Sequence, residues 1–307
     1  VLEFVKLIEQ AGAPKGLVNV VTGFGAEVGT PLIEHPKVAK VAFTGSDATG
    51  KHIYRAAAAS MKHVTMELGG KSPNIVFDDA DLDDAVNGAI SGIFAATGQT
   101  CLAGSRLLLQ DSIHDKFLER LVAVAKGARM GDPANLETQV GPVTTPPQYR
   151  KVLDYINVAK SEGATLVAGG QPAKRPECGD GWFVEPTIFK DVRADMRIAQ
   201  EEVFGPVLSV IRFKDEADAL RIGNNTIYGL AAGVWTKDIG RAIRMSEGLR
   251  AGTVWVNTYR AVSYMSPFGG YKQSGVGREN GAEMIYEYLQ VKSVWLNYGA
   301  ATANPFV

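Results

Sequence analysis

Residues 38–77, VAKVAFTGSDATGKHIYRAAAASMKHVTMELGGKSPNIVF, carry the alternation of strand and helix that decides the fold. Three short apolar runs, 38–43, 63–68 and 73–77, predict buried strands. The stretch between the first two runs predicts a helix that ends near Ala59. Short buried strands that alternate with helices are typical of a mainly parallel sheet covered on both faces. This part of the sequence therefore predicts an α/β fold.

The same alternation continues on both sides of this stretch. Apolar periodicity predicts helices over 2–10, 26–33, 81–95, 115–128 and 148–162, and strands over 19–21, 106–110, 207–213 and 231–235. The polar stretch 169–181 predicts a surface loop. Residues 290–297 alternate apolar with polar and predict a strand, which either pairs with another subunit or forms an edge within the chain.

Composition limits the kind of protein and its partners. Of the 307 residues, 46% are hydrophobic and 21% charged, which is typical of a globular protein with one large or two domains. The formal net charge of −1 argues against nucleic acid or an anionic membrane as a partner. No apolar run approaches the ~18 residues of a membrane span, and no signal peptide opens the chain. We therefore expect a soluble cytoplasmic protein.

Cysteine and histidine patterns exclude two kinds of site. The sequence has two cysteines, Cys101 and Cys178, and no C-x-x-C or H-x-x-x-H pattern for a structural zinc ion. No G-x-S-x-G motif supports a serine nucleophile, and the four histidines lack partners at motif spacing. Cys178 lies in the polar loop, where we expect it to be exposed and without a role. We predict no metal site.

Two glycine-containing turns are candidates for binding a phosphate. Residues 23–29, GFGAEVG, differ from the dinucleotide-binding fingerprint by one extra residue, and an ordinary strand-to-helix turn is the favoured explanation for them. Gly45 and Ser46 follow a predicted strand and begin a helix, whose N-terminus offers free N–H groups to an anion. A simple serine cap is the alternative for this second turn.

Two other motifs supply reactive groups. Glu67 ends a predicted strand beside Gly69 and Gly70, where burial would raise its pKa and suit it to act as a general base. The alternative is a turn in which Glu67 pairs with Lys71. Cys101 lies in the glycine-flanked loop GQTCLAG, where a thiol is either an activated nucleophile or a small buried hydrophobic residue.

Taken together, these motifs resemble those of the aldehyde dehydrogenase superfamily. The runs MELGGKSPN around Glu67 and GQTCLAGSR around Cys101 are similar to its two active-site motifs. Residues 201–206, EEVFGP, resemble a third motif, and Asn257 with residues 266–275, SPFGGYKQSG, resembles the C-terminal signature. The four motifs stand in the family's order, and the resemblance covers nearly the whole chain.

The resemblance implies a thiohemiacetal mechanism. Cys101 would attack the aldehyde carbon, and its backbone N–H would help to hold the oxyanion. Hydride would then pass to the nicotinamide, and Glu67 would activate the water that hydrolyses the thioester. The implied cofactor contacts are Gly45 and Ser46 at the pyrophosphate, Glu202 at the nicotinamide ribose, and Gly50, Leu68, Gln148 and Phe204. The resemblance also implies that Phe268 lines the substrate tunnel and that Glu279 is a second carboxylate in a proton path.

The resemblance further implies how the chain is organised. Residues 1–69 would be the remnant of a Rossmann-type cofactor domain, 70–270 an α/β catalytic domain, and 271–307 a return segment with an oligomerisation strand. A preceding part of the protein would carry an oxyanion-hole asparagine and the residues that distinguish NAD from NADP. We therefore expect NAD or NADP as cofactor, a small aldehyde as substrate and a homodimer or homotetramer in the full-length form.

Three functions are compatible with these features. The first is oxidation of an aldehyde to a carboxylic acid. The second is a thiol esterase activity of Cys101 and Glu67, which needs no cofactor. The third is a truncated, catalytically weak fragment, because loss of one oxyanion donor alone typically costs about 10²–10³ in rate. Dependence on NAD distinguishes the first function from the others.

Overall fold

A computed structural model describes residues 1–299 and 301–306, and its elements alternate between helix and strand. The helices are α1 (Leu2–Gln10), α2 (Thr30–Glu34), α3 (Asp47–Ala58), α4 (Leu82–Phe94), α5 (His114–Lys126), α6 (Pro146–Ser161), α7 (Arg197–Gln200), α8 (Glu216–Asn224) and α9 (Ile239–Gly248). The strands are β1 (Lys40–Thr44), β2 (His63–Glu67), β3 (Pro73–Val76), β4 (Arg106–Gln110), β5 (Thr165–Ala168), β6 (Thr187–Lys190), β7 (Val207–Phe213), β8 (Tyr228–Gly229), β9 (Ala231–Trp235), β10 (Thr253–Val256), β11 (Tyr271–Lys272) and β12 (Gly275–Val276). The predicted α/β class is confirmed.

Seven strands form a large sheet in the order β10-β9-β3-β4-β7-β6-β5. Neighbouring strands are parallel except β5, which runs antiparallel to β6. Both faces are buried, as the alternation along β4 shows. Leu107 and Leu109 pack with residues of α4 and α5, whereas Leu108 packs with residues of α6, α8 and α9. Apolar side chains on both faces explain why these strands read as continuous hydrophobic runs.

Polar side chains define where several of the helices that pack on the large sheet begin. Asp81 caps α4, Thr145 caps α6, Asp215 caps α8 and Asp238 caps α9, each by accepting a hydrogen bond from a backbone N–H of the first turn. Such caps satisfy donors that have no partner within the helix. The caps therefore fix the helix ends from local sequence.

A small sheet has the order β1-β2-β12. Strands β1 and β2 are parallel, and β12 returns from the C-terminal part to pair antiparallel with β2, where Gly275 lies opposite Glu67. A four-residue core of Ile33, Ile53, Met66 and Leu68 lies between this sheet and helices α2 and α3. The return segment is therefore part of the small sheet.

The expectation of a strand at residues 19–21 was wrong, and so was that of an edge strand within the chain at residues 290–297, whereas pairing of 290–297 with another subunit stays a prediction. Residues 19–21 form no strand, because no described strand pairs with them, and the 23–29 turn consequently follows a coil and contains a π-helical turn over Gly25–Gly29. Residues 290–297 lie outside any strand, with Val291 and Trp295 almost fully exposed. The strands β5, β6, β8, β10, β11 and β12 and the helices α7, α8 and α9 were not predicted. No helix among the described residues has both the length and the apolarity needed to cross a membrane.

Candidate active site

The candidate site lies where the two sheets meet. Strand β2 of the small sheet ends at Glu67, and β3 of the large sheet begins at Pro73 after the buried turn 68–72. The loop that contains Cys101 precedes β4, and the loop that contains Glu202 precedes β7. The carboxyl ends of the small-sheet strands therefore approach the amino ends of the large-sheet strands. Ligands of open α/β sheets bind outside such carboxyl ends.

A strained turn positions the loop that contains Cys101. Ala96, Thr97 and Gly98 all have positive φ values, of 51°, 57° and 67°. A Cβ on Gly98 would collide with the carbonyl oxygen of Gly205. Only glycine tolerates both this φ and this contact. The turn therefore holds the Cys101 loop against the loop that precedes β7.

Cys101 is half-buried at the centre of this arrangement. A Cβ on Gly70 would collide with the Cys101 carbonyl oxygen, so the turn after β2 lies directly against Cys101. Burial raises the pKa of the Cys101 thiol, and the carboxylates of Glu202 and Glu67 raise it further, although nearby backbone N–H groups act in the opposite direction. Cys101 is therefore a thiol at neutral pH and needs a base to become a nucleophile.

Glu67 has the properties of that base. It is only 5% exposed, and its Oε2 has no hydrogen-bond partner among the described residues. Burial, assisted by the charge of Glu279, raises the pKa of Glu67 to about 8, while Arg278 opposes this rise. Gly269 leaves room for the carboxylate, because a Cβ there would lie 2.8 Å from Glu67 Oε1. A carboxyl group with a pKa near working pH is suited to exchange protons.

Glu202 contacts the same turn from the other side. Its Oε1 accepts a hydrogen bond from Gly70 N at 3.0 Å, and its carboxylate fills the space that a Cβ on Gly69 would occupy. Burial raises the pKa of Glu202, while the Gly70 hydrogen bond and the charges of Lys151 and Lys71 lower it. The paired glycines thus allow the loops of Glu67, Cys101 and Glu202 to converge.

Gln148 supports the loop that follows Glu202. Its Nε2 donates to the carbonyl oxygens of Val203 and Phe204, at 2.8 and 2.9 Å. Phe204 is half-buried and has a positive φ of 58°, a backbone conformation that needs such support. Gln148 therefore holds the loop in place, and a direct contact of Gln148 with a cofactor stays a prediction.

The turn at Gly45 and Ser46 joins β1 to α3. Gly45 N donates to the carbonyl oxygen of Glu67 at 3.1 Å, which ties this turn to the end of β2. Ser46 caps α3 by accepting from Thr49 N at 3.2 Å. The serine cap and an anion-binding helix N-terminus are thus compatible, since one cap satisfies only one of the free N–H groups.

Gly50 and Leu68 pack against each other and do not border an open cavity. A Cβ on Gly50 would lie 2.5 Å from Leu68 Cδ2, so the glycine lets α3 approach the turn after β2. Both residues are buried. In the structure they join α3 to the buried turn 68–72. Direct contacts of either residue with a cofactor stay a prediction.

Ser274 is a central residue that the sequence analysis missed. It is fully buried, and its Oγ donates to Gly69 O at 2.7 Å while accepting from Gly229 N at 2.9 Å. Its carbonyl oxygen accepts from Leu68 N at 2.8 Å. The return segment thereby fastens the buried turn 68–72 to strand β8, which pairs with β11 and directly precedes β9 of the large sheet in the chain. The sequence analysis included this residue only as a member of the C-terminal signature and assigned it no role.

Arg106 and Lys71 are two buried cations behind the turn. The Arg106 guanidinium donates to the carbonyl oxygens of Lys71, Ile222 and Gly223, at 2.9, 3.0 and 2.7 Å. Lys71 is 1% exposed, and burial lowers its pKa to about 7. No ion pair joins Lys71 to Glu67 among the described residues. The alternative reading of a Glu67–Lys71 turn is therefore wrong.

Cys178 is buried, contrary to the expectation that it would be exposed. It packs with Met130, Phe183 and Ala173, because the polar loop folds back over this small cluster. Burial raises the pKa of its thiol. No group of three or more potential metal ligands occurs in the described part of the chain.

Phe268 lies near Glu67. Its N–H and carbonyl pair with the backbone of Glu279, at 2.7 Å in both directions, and Gly269, which follows it, contacts Glu67. Its half-buried side chain lines a surface cleft of about 380 Å³ together with Trp255 and Ser266. This position is compatible with the predicted role at a substrate site.

Comparison with known proteins gives a consistent picture. The profile of the aldehyde dehydrogenase family matches residues 1–294. An aldehyde dehydrogenase of Emericella nidulans is 50% identical over 297 residues, which cover 96% of this chain and 59% of that protein. A betaine aldehyde dehydrogenase of Bacillus subtilis is 48% identical over 305 residues, covering 99% of this chain and 62% of that protein.

Solved structures agree with the sequence comparisons. The betaine aldehyde dehydrogenase of Staphylococcus aureus in complex with NAD⁺ superposes with a TM-score of 0.93 at 43% identity. The superposition covers 98% of this chain and 61% of that one. This chain thus spans about three fifths of the length of the relatives that it matches.

Proposed function

This chain belongs to the aldehyde dehydrogenase family, and we propose that the protein containing it oxidises an aldehyde to a carboxylic acid with NAD⁺ or NADP⁺. The observation that carries the proposal is the convergence of Cys101 and Glu67. One is a half-buried thiol that needs a base, and the other is a buried carboxyl group with a free oxygen and a pKa of about 8.

The first chemical step forms a covalent bond at Cys101. The Glu67 carboxylate takes the thiol proton, and Sγ bonds to the aldehyde carbon while the carbonyl π electrons move to oxygen. The backbone N–H of Cys101 donates to that oxygen. The strained turn at Gly98 fixes the direction from which Sγ approaches, so little reorganisation is needed.

The residues at the carboxyl ends of β1 and β2 fit a dinucleotide. The N-terminus of α3 at Gly45 and Ser46 would hold the phosphates, and the partly exposed Glu202 carboxylate would accept hydrogen bonds from a ribose. When bound, the nicotinamide supplies an acceptor for the hydride that leaves the thiohemiacetal carbon. Relatives crystallised with NAD⁺ support this assignment.

Hydrolysis of the resulting thioester returns Cys101 to its starting state. The Glu67 carboxylate takes a proton from water, and the water oxygen bonds to the thioester carbon. The C–S bond then breaks, and the sulfur takes a proton. Over one turnover the aldehyde, NAD⁺ and water become the carboxylate, NADH and two protons, which leave for solvent.

The test is NADH formation by the full-length protein with a series of aldehydes. Betaine aldehyde, named for the relatives, is the first to try. We expect Cys101→Ala to abolish turnover. Cys178→Ala is the matched control and should retain activity, because that thiol lies in a separate cluster. A Cys101→Ala protein that still forms NADH would refute the proposal.

A thiol esterase activity is a second candidate that the same observation favours. Cys101 and Glu67 are already assembled in the chain, and ester cleavage needs no cofactor. Release of nitrophenol from an activated ester without NAD⁺, lost in Cys101→Ala, would establish this activity. Its presence together with NADH formation would make it a side reaction of the same site.

Self-association through residues 290–297 is part of the proposal. Val291, Trp295 and Leu296 are 98%, 93% and 72% exposed, and exposed apolar side chains in a row favour an interface. Sedimentation of the full-length protein should give a dimer or tetramer. Charged substitutions at these three positions should shift it to the monomer.

A further inference from the structure

The surface cleft of about 380 Å³ lies beside Glu67. Its walls include residues 261–263 and 266–268 of one loop. On one side the wall ends at Phe268, next to Gly269, where a Cβ would lie 2.8 Å from Glu67 Oε1. On the other side the wall begins at Ala261, which directly follows Arg260 in the chain. The cleft therefore extends from the neighbourhood of Glu67 to that of Arg260.

Tyr259 and Arg260 contact the two ends of the loop that contains Cys101. The Tyr259 hydroxyl donates to the carbonyl oxygen of Leu102 at 3.1 Å, directly after Cys101. Nη1 of Arg260 donates to the carbonyl oxygen of Ala95 at 3.2 Å, at the start of the strained turn. Arg260 therefore lies beside the Cys101 loop, at the point where the cleft begins.

The guanidinium of Arg260 has donors that the chain does not use. A guanidinium carries five N–H groups, and a single one of them donates to a described residue. No carboxylate among the described residues forms an ion pair with Arg260, and its side chain is half-buried. The planar fork of a guanidinium matches the two oxygens of a carboxylate. Arg260 is therefore suited to bind an anion from outside the chain.

The rest of the cleft offers little to a cationic substrate. None of the described residues that line it carries a charge. Recognition of a quaternary ammonium group typically uses a cage of aromatic faces. Trp255 is only 5% exposed and packs on Tyr259 at a ring-centre distance of 4.7 Å, so the half-buried Phe268 is the one aromatic ring left to face the cleft among its described lining residues. The lining is thus suited to a neutral chain.

We propose that Arg260 binds a carboxylate of the substrate, so that the site prefers oxo acids, which carry an aldehyde at one end of the chain and a carboxylate at the other. The proposal rests on the proposed function and names the substrate class of the same site. The aldehyde carbon would lie at Cys101 Sγ, the chain along Phe268 and the carboxylate at the guanidinium. Arg260 takes part in no bond-forming step, so the reaction is unchanged and its product is a dicarboxylate.

Betaine aldehyde, for which several of the relatives are named, is a cation. Its ammonium group would meet the Arg260 guanidinium as a like charge, and like charges brought close together disfavour binding. We therefore expect this site to differ in substrate preference from those relatives. Betaine aldehyde serves as the cationic member of the test series.

The test compares kcat/KM of the full-length protein for aldehydes of matched length and different charge. NADH formation is measured with oxo acids of four and six carbons, with the unsubstituted aldehydes of the same lengths and with betaine aldehyde. We expect at least one oxo acid to exceed its neutral counterpart about tenfold, as a hydrogen bond between charged groups allows, and betaine aldehyde to be the poorest substrate. The preference should shrink as the salt concentration rises, because the guanidinium is partly open to solvent.

Arg260→Met removes the charge and keeps an unbranched side chain. It should lower the ratio of kcat/KM between the oxo acid and its neutral counterpart about tenfold, whereas Arg260→Lys should retain part of this ratio. Arg250→Met is the matched control and should leave the ratio unchanged. The exposed Arg250 precedes β10 and Arg260 follows it, so the two arginines lie at opposite ends of one strand.

The outcomes distinguish this inference from the proposed function. Absence of NADH formation with every aldehyde would overturn the proposed function and this inference with it. NADH formation without a preference for oxo acids, or with a preference for betaine aldehyde, would overturn the inference alone. Equal slowing of the oxo acid and the neutral aldehyde in Arg260→Met would also overturn it, because Arg260 would then act only through its hydrogen bond to Ala95.

Discussion

The two sheets differ in how completely the chain buries them. Every residue of β3 and β9 in the large sheet is buried, and clusters of apolar side chains lie on both faces. In the small sheet, β1 has no buried residue, and helix α1 buries none of its nine residues. Phe4 and Leu7 of α1 are 64% and 59% exposed. The large sheet is thus stabilised from within the chain, and the small sheet much less so.

This difference separates the two halves of the site. Cys101 and Glu202 belong to loops anchored on the large sheet, whereas Glu67 and the turn at Gly45 belong to the small sheet. Regions with few buried apolar contacts open at lower free energy than a packed core. We therefore expect the nucleophile to stay positioned under conditions in which the base and the cofactor residues begin to move.

The largest expected effect is at the centre of the large sheet. Phe189 of β6 is fully buried in the main core. Its truncation to alanine leaves a cavity and should lower the free energy of unfolding by about 3–5 kcal/mol. Urea denaturation of the chain measures this loss. A loss near zero would mean that the large sheet is not the stable part.

An intermediate effect is expected at the junction between the sheets. Ser274→Ala removes the hydroxyl that joins Gly69 to Gly229 and leaves both backbone groups without this partner. We expect a cost of about 1–3 kcal/mol. Hydrogen exchange should show faster exchange in β2 than in β4 of this variant.

The exposed Ser266 provides the control for this prediction. Its hydroxyl forms no interaction with the catalytic turn among the described residues, so Ser266→Ala should leave both stability and exchange unchanged. If Ser274→Ala and Ser266→Ala behaved alike, Ser274 would not be the residue that ties the turn 68–72 to β8.

The smallest effect is expected in α1. Phe4→Ala in the isolated chain should change the free energy of unfolding by less than about 0.5 kcal/mol, because an exposed side chain loses little on truncation. The same urea titration as for Phe189→Ala gives a direct comparison of two phenylalanines. A cost of several kcal/mol would show that α1 packs against the rest of the chain, contrary to its observed exposure.

Local sequence predicted those elements that have a clear residue pattern of their own. The strands 106–110, 207–213 and 231–235 were predicted with the observed bounds, because continuous apolar runs are sufficient to identify a fully buried strand. The strand predicted at 19–21 was wrong, since a strand exists only where another strand pairs with it. The exposure of Cys178 was also wrong, because a polar loop can still fold over its few apolar residues.

The reactive residues were recognisable, but their supports were not. Glu67 and Cys101 stand in motifs with glycines at close spacing, and the structure confirms that these motifs converge. Ser274 acts on residues that are 205 and 45 positions away in sequence. Contacts between residues so far apart in sequence leave no local signal.

The central claim is that Glu67 is the base that acts on Cys101 and its thioester, and the pH dependence of deacylation tests it most directly. Steady-state hydrolysis of a nitrophenyl ester should rise as pH passes about 8, because the Glu67 carboxylate forms there. In Glu67→Gln the rise should vanish and the rate should fall about 10²–10⁴-fold. A Glu67→Gln protein that keeps the wild-type rate and pH profile would contradict the account.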